Sequence, residues 1–388
     1  MAQTVEGINP EVLRWARETA GHTVGDVAFA LKKAPEVVEA WESGERSPTY
    51  VQLETLAYRL YKRPLALFFF PEVPEEDQPS QSFRTLPADE LEAFLPDTRL
   101  ALREAQAMQL VLHELTGSSN PAQRRVFHDL RFHGDTDVGD AVRQVRDHLG
   151  VSLDEQIGWS GTDDALRNWR AVVQDEGLFV FKRAMRQADI SGFSLLDEQF
   201  PVIYLNNSTP HTRQVFSLFH ELAHVLLGAN GVTKEDDSYI GSLRPAYRMI
   251  EVFCNRFAAE LLVPRADFDS FSASDFYDDS VVVNLADRYS VSREVILRRA
   301  LDSGLVDGDH YQQKSREWAA QAQRARRSQG GGNYYANQAT YLGAKFLELA
   351  FGKFYQGLCT RTQLAEYLNV KVRNLPGLEP FAIANVGR

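Results

Sequence analysis

The sequence predicts an α+β protein: all-α at its N-terminus, a small sheet with a buried helix behind it, and a helical C-terminal region. Three observations predict it. Residues 8 to 70 read as short helices punctuated by Pro, Gly and Thr. From residue 178 the pattern changes to "LFVFKR", "ISGFSLL" and "FPVIYLNN", short runs rich in aromatic and β-branched residues and bounded by Gly, Pro and Asn. After them "SLFHELAHVLLG" (217–228) is helical in composition and apolar almost all round, yet holds two histidines and a glutamate. Three strands followed by two helices make an α+β unit.

Composition sets the outer limits. The 388 residues, 44% hydrophobic and 24% charged, suffice for two or three domains and a sizeable core. "MAQTVEGINP" holds no basic-then-apolar leader, and the longest apolar run, "LALFFF" (65–70), is far too short for a bilayer. The expectation is a cytoplasmic protein with no membrane partner. Cys254 and Cys359 cannot build a disulfide framework and there is no CxxC knuckle, which fits a reducing compartment. A net charge of −11 argues against a general nucleic-acid binder. The segment 311–388 nevertheless carries eleven Lys/Arg against four Asp/Glu, a basic region that meets either an acidic partner or the acidic body of its own chain.

Element by element, Pro10 opens a first helix that stops at Gly21. Thr23 caps a second, "TVGDVAFAL", and Pro35 opens a third, "PEVVEAWESG", after the short "KKA" turn. "SPTYVQLETLAYRLYKRPLALFFF" supplies two more. "PEVPEEDQPSQS" (71–82) reads as a linker. Helical stretches then precede the strands, among them "DDALRNWRAVVQDEG", closed by Gly177. Beyond the buried helix come "EVFCNRFAAELLVP", a helical pair over 282–306, the basic Gly-rich "QAQRARRSQGGGNYY", and "TRTQLAEYLNVKVRNL". The expected domains are 1–70, the linker 71–82, 83–310 and 311–388.

Short helix, tight turn, short helix and then "WESGERSPT" resembles the Xre or Cro-like helix-turn-helix family, through Ala28, Trp41, Glu42, Gly44 and Pro48. The resemblance implies that the third helix reads base edges from its early exposed positions, here Pro35, Glu36 and Glu39. Two carboxylates there suit DNA poorly, and Val24 replaces the polar residue that commonly touches the backbone. Lys32, Lys33 and Arg46 can still reach phosphates. Residues 1–70 hold eight basic and nine acidic side chains. DNA binding and protein-partner binding by this domain both stay open.

In "HELAH", each helical residue turns by ~100°, so His224 lies ~40° around from His220 and one turn along, with Glu221 flanking both. Two imidazoles aimed at one point with a carboxylate beside them suit zinc and a general base. On a buried helix, coordination would satisfy groups otherwise costly to bury; a chance match arises roughly once in a hundred such chains. A third ligand is sought among Glu235, Asp236, Asp237, Glu251 and Glu260. Glu251 is favoured because Asn255, Ala258 and Leu262 share its helix face and let it approach a metal, while Glu260 is on the opposite side.

"RQVFSLFHELAHVLLG" followed by "EVFCNRFAAELLVP" resembles the ImmA/IrrE-type metallopeptidases, with H-E-x-x-H and then E-x-x-x-N-x-F-A, over roughly residues 165 to 305. Glu251 follows His224 by 27 residues, which also fits. The resemblance implies a zincin-like metallopeptidase domain in which His220, His224 and Glu251 bind zinc and Glu221 is the catalytic base; manganese or iron can occupy such a site. It implies a site-specific endopeptidase that cuts a transcriptional repressor or other regulatory protein in a stress, mobile-element or toxin-antitoxin response; the alternative is an antitoxin or transcriptional regulator that binds a toxin or DNA, with the zinc site structural or latent. "FPVIYLNN" is expected to pair with an extended substrate segment. Asn255 is expected to hydrogen-bond a ligand. Cys254 stands where Ala is common, ~60° off the Glu251 face: either near the metal, where oxidation would reach it, or a small core residue, the simpler reading. The group that stabilises the tetrahedral intermediate is sought among Tyr239, Tyr247, Arg248 and His211. Arg213 resembles a family position and otherwise reads as a salt bridge.

Overall fold

A computed structural model describes residues 3–76, 91–187, 189–234, 237–268, 270–325 and 333–383. Part of the expected linker (77–82), the ligand candidates Glu235 and Asp236, and the Gly-rich break 326–332 lie outside the described residues. The chain divides into two compact units, Met1–Glu104 and Ala105–Arg388.

In the first unit, local signals set the helix ends. Pro10 and Pro35 occupy the first turns of α1 (Pro10–Thr19) and α3 (Pro35–Glu42). Thr23 caps α2 (Val24–Leu31) in a capping box with Asp26. Lys32, at φ 54°, turns the chain from α2 into α3. Then α4 (Tyr50–Glu54) continues as a π-helical stretch to Tyr61, and a 3-10 turn covers Leu65–Phe69. Leu13, Val27, Val38, Trp41, Leu53 and Phe68 are among the side chains that close the core. Beneath them Arg17 grips the buried carboxylate of Glu42 with two bonds, 2.7 and 2.9 Å, tying α1 to α3. Gly44, at φ +77°, leaves room for Pro10, whose Cγ would stand 3.1 Å from a Cβ there. The first residues of the expected linker are pinned to this unit, for Arg63 forks onto Glu76.

The second unit is built around a four-stranded sheet in the order β1-β3-β2-β4, from β1 (Phe179–Arg183), β2 (Ile190–Leu195), β3 (Val202–Asn206) and β4 (Gly231–Lys234). β1 runs parallel to β3, with Phe179 opposite Val202; β2 is antiparallel to β3 and to β4, with Phe193 opposite both Tyr204 and Val232. This corrects the expectation for "FPVIYLNN": β3 is hydrogen-bonded on both sides, so it has no edge to offer a substrate.

The helices of this unit include α5 (Val138–Leu149), α6 (Thr162–Asp175), α7 (His211–Leu226), α8 (Pro245–Leu262), α9 (Asp279–Tyr289), α10 (Arg293–Asp302), α11 (Gly308–Ala325), α12 (Tyr334–Leu342) and α13 (Ala344–Tyr355). α7 lies on β2, β3 and β4, with α8 packed along it. Trp169 of α6 meets Phe219 of α7 edge-on at 4.8 Å. On β1, α12 makes contact, and Phe346 of α13 meets Phe181 edge-on. Both faces of the sheet are therefore covered, which accounts for strands buried nearly throughout rather than alternating. In the basic C-terminal segment, Lys314 binds Asp279 and Lys345 binds Asp175, acids of the same unit.

Candidate metal centre

From Ser217 onward α7 is apolar almost all round because that part of the helix is enclosed: Leu218, Phe219, Leu222 and Ala223 are fully buried, and so, to within 2%, are His220, Glu221 and His224. α8 brings Glu251, also buried, against the two histidines. The Nε2 atoms of His220 and His224 are 3.1 Å apart. Each lies 3.4 Å from a carboxylate oxygen of Glu251. Donor atoms around a four-coordinate zinc with bonds of about 2.0–2.1 Å stand roughly 3.3 Å apart. The separations thus match a single four-coordinate ion, and the donor set, two neutral imidazoles and one carboxylate, suits zinc. His220 donates from Nδ1 to Oδ1 of Asn255 at 2.9 Å; an amide oxygen only accepts, so the proton sits on Nδ1 and Nε2 is left as the donor to a metal.

The charges are tightly coupled. Burial pushes the Glu251 carboxyl up, but His224 and His220 outweigh it and hold that carboxyl well below the usual range. Burial pushes His224 down, while Cys254 and Glu251 outweigh that and raise it well above the ordinary imidazole value. Nδ1 of His224 has no hydrogen-bond partner among the described residues.

Glu221 turns toward the sheet. Ser194 of β2 donates to its Oε2 at 2.6 Å and Thr233 of β4 to its Oε1 at 2.5 Å. Gly231 of β4 permits this closeness: a Cβ there would lie 2.2 Å from the His224 ring and 2.7 Å from Oε2 of Glu221. Its backbone N–H also donates to the Ser194 hydroxyl. Ser194, Gly231 and Thr233 were not singled out from the sequence. A pair of serines, Ser191 and Ser194, inside a strand with apolar neighbours was the available signal for the first, whereas "GVTK" is too short to read as a strand.

The other expected residues separate clearly. Tyr239 donates to Oε2 of Glu251 at 2.9 Å and so touches the cluster. Arg248 binds the carbonyls of Ile240, Gly241 and Leu243, closing the turn before α8. His211, at the first position of α7, pairs with Asp163 at 3.4 Å. Arg213 bonds Ser191 and the carbonyl of Lys234, tying α7 to β2 and β4. Glu260 is bound by Arg299 and by the backbone of Arg265. Tyr247 is half-buried on α8, and the Cys254 thiol joins the cluster, with ligand atoms of His220, His224 and Cys254 all within 4.8 Å of one another. In the first unit Lys32, Lys33, Glu36, Glu39 and Arg46 are all exposed.

Residues 173–301 match the IrrE N-terminal-like domain of the Peptidase_M78 family. That span holds the whole sheet, α7 and α8, and every residue of the cluster. No curated protein matches the chain. Among the described residues no helix is long and apolar enough to cross a membrane.

Proposed function

We propose that the chain is a zinc-dependent site-specific endopeptidase acting on a regulatory protein, a transcriptional repressor first of all, in a stress, mobile-element or toxin-antitoxin response. One observation carries this reading: two imidazole nitrogens and a carboxylate stand 3.1–3.4 Å from one another in a buried cluster, with Glu221 next to His220 on the same helix. A zinc ion held by His220, His224 and Glu251 would supply Lewis-acid polarisation of a carbonyl and make a water acidic enough to attack near neutral pH; manganese or iron can serve on the same donors. Asn255 keeps the His220 ring in its donor tautomer. Tyr239 orients the Glu251 carboxylate. Glu221 accepts the proton of the attacking water at a carboxylate oxygen and returns it to the leaving amine, once Thr233 or Ser194 gives up that oxygen. An extended substrate would pair along an outer strand, where backbone affinity is weakly selective. Selectivity then falls to residues 1–70, through contact with the repressor itself or with the DNA where it sits.

The test uses wild type and Glu221→Gln, each with its metal quantified, incubated with lysate or candidate neighbouring proteins and read by mass spectrometry for new termini. Wild type is expected to give one discrete cut that zinc-loaded Glu221→Gln makes at least about 10²-fold more slowly. A second reading, an antitoxin or regulator with a latent zinc site, is favoured by the full burial of Glu221 with both oxygens taken. It takes the lead if both proteins hold zinc, both retain the same intact partner and neither cuts it.

A further inference from the structure

We propose that the N-terminal end of α7, together with the buried ammonium of Lys182, is an anion site for a phosphate or phosphate-ester group, separate from the metal centre on the same helix. Pro210 caps α7 without a side-chain bond, and the first backbone bonds of the helix run from Arg213 and Gln214 to the Pro210 carbonyl. The N–H groups of His211 and Thr212 are left over at the positive end of a 16-residue helix. A helix end of this kind is ordinary by itself; Lys182 sets it apart. In the β1–β3 pairing Lys182 stands opposite Leu205, as Val180 stands opposite Ile203, and those three apolar side chains belong to the core that α6 and α7 cover. Lys182 therefore points to the side of the two helices, one residue before β1 ends. It is 7% exposed and forms no ion pair or hydrogen bond among the described residues.

The charges around it are short of an acid. Arg170, the nearby cation, gives its bonds to the carbonyls of Val180, Thr340 and Tyr341. Asp163, in the first turn of α6, is 72% exposed and already shared by His211 at 3.4 Å and Arg167 at 3.1 Å. Burial, then Lys182, push the His211 imidazole down, with Asp163 opposing, so ring and ammonium act on one another directly. A buried ammonium without a counter-charge costs stability, and an anion between it and the helix end would supply that charge. The His211 side chain is 43% exposed, which gives a solvent ion its approach. Donor count selects the ion. Two backbone N–H groups, an ammonium and an imidazole suit a phosphate group, with three or more oxygens and up to two charges, better than a carboxylate with two oxygens and one. His211 precedes His220 by nine residues, ~14 Å of helix, so a group bound here does not touch the metal donors.

The experiment titrates the purified full-length chain, its metal quantified, with inorganic phosphate at constant ionic strength, beside Lys182→Met and Asp163→Asn. Calorimetry reads the affinity and amide hydrogen exchange reads the place. Wild type is expected to bind phosphate with exchange slowed over residues 211–214, where the helix end meets the ion. Lys182→Met, which keeps every metal ligand, should bind at least about tenfold more weakly, the loss of one charge-assisted hydrogen bond. Asp163→Asn should bind more tightly, because a repelling carboxylate is gone. A nucleoside monophosphate in place of phosphate identifies the source: tighter binding puts the group on a nucleotide, and equal or weaker binding leaves free phosphate as the occupant. Undiminished binding by Lys182→Met would overturn the site and move the phosphate to the metal centre or elsewhere. Wild-type binding that leaves exchange over 211–214 unchanged would overturn it too, as would no binding at all.

Discussion

Two buried glutamates, Glu42 of the first unit and Glu251 of the second, are treated in opposite ways. Glu42 receives a two-pronged bond from Arg17, while Arg14 approaches at 3.9 Å and also donates to the Glu42 backbone carbonyl. Glu251 faces two imidazoles whose Nε2 atoms stand 3.1 Å apart, a spacing that needs either a proton or a cation between them. The first pair is complete within the protein and therefore serves the fold. The second leaves two ring nitrogens and a carboxylate close together, an arrangement that a cation would satisfy. A buried charge is informative less by its presence than by whether its partners suffice.

The comparison breaks first at its complete end. Arg17→Ala leaves the Glu42 carboxylate buried and uncompensated and should destabilise the first unit by about 3–5 kcal/mol. Replacing both by apolar residues, Arg17→Met with Glu42→Leu, should cost far less, because neither charge then remains to be satisfied. Denaturant unfolding followed by the fluorescence of Trp41 separates the two. Equal losses for the single and double variants would mean that Glu42 is not the reason for Arg17.

A third buried charge sharpens the contrast, for Lys182 of β1 forms no ion pair among the described residues. Burial, then the neighbouring Arg170, push its ammonium down to about 7, with Asp163 opposing weakly. A lysine whose folded pKa lies below its unfolded value of about 10.4 leaves the unfolded chain holding more protons between those two values. Its cost to stability is absent above about pH 10.4, grows as the pH falls to about 7, and is constant below. Lys182→Met should accordingly stabilise the second unit by about 2–4 kcal/mol at pH 7, the gain fading toward pH 10. Melting temperature against pH checks it: a gain that does not depend on pH would be packing, not charge.

How much of this was legible depended on distance along the chain. The ends of α1, α2 and α3 were readable because Pro10, Thr23 and Pro35 act within one turn of themselves. β1, β2 and β3 were readable from their own composition. His220, Glu221 and His224 were readable because four residues of helix place them on one side, and the Glu251 and Asn255 assignments came with the second motif. The sheet's order was not readable, so β3 was taken as free when β1 and β2 flank it. Nor were Ser194 and Thr233 as the partners of Glu221, which lie 27 and 12 residues away on strands whose pairing only the tertiary structure fixes. The segment "GVTK" becomes β4 through its pairing with β2, not through any preference that four residues can express.

The smallest expected effect on stability tests whether β4 belongs to the site or only covers it. Gly231 carries no unusual φ, so the requirement for glycine there is one of space: a Cβ would meet the His224 ring at 2.2 Å, and either the ring or the strand must move. Gly192 of β2 is also crowded, but its nearest neighbour is the Tyr204 carbonyl oxygen at 2.9 Å, across the sheet rather than at the donors. Gly231→Ala and Gly192→Ala should each cost about 1–3 kcal/mol through overpacking. Only Gly231→Ala displaces an imidazole from Glu251 and its partner ring, so only it should also weaken zinc binding, by at least about tenfold. Zinc titration of the two variants beside their unfolding curves decides the matter. Equal zinc affinity at matched stability would mean that β4 rests against the donors without helping to set their geometry.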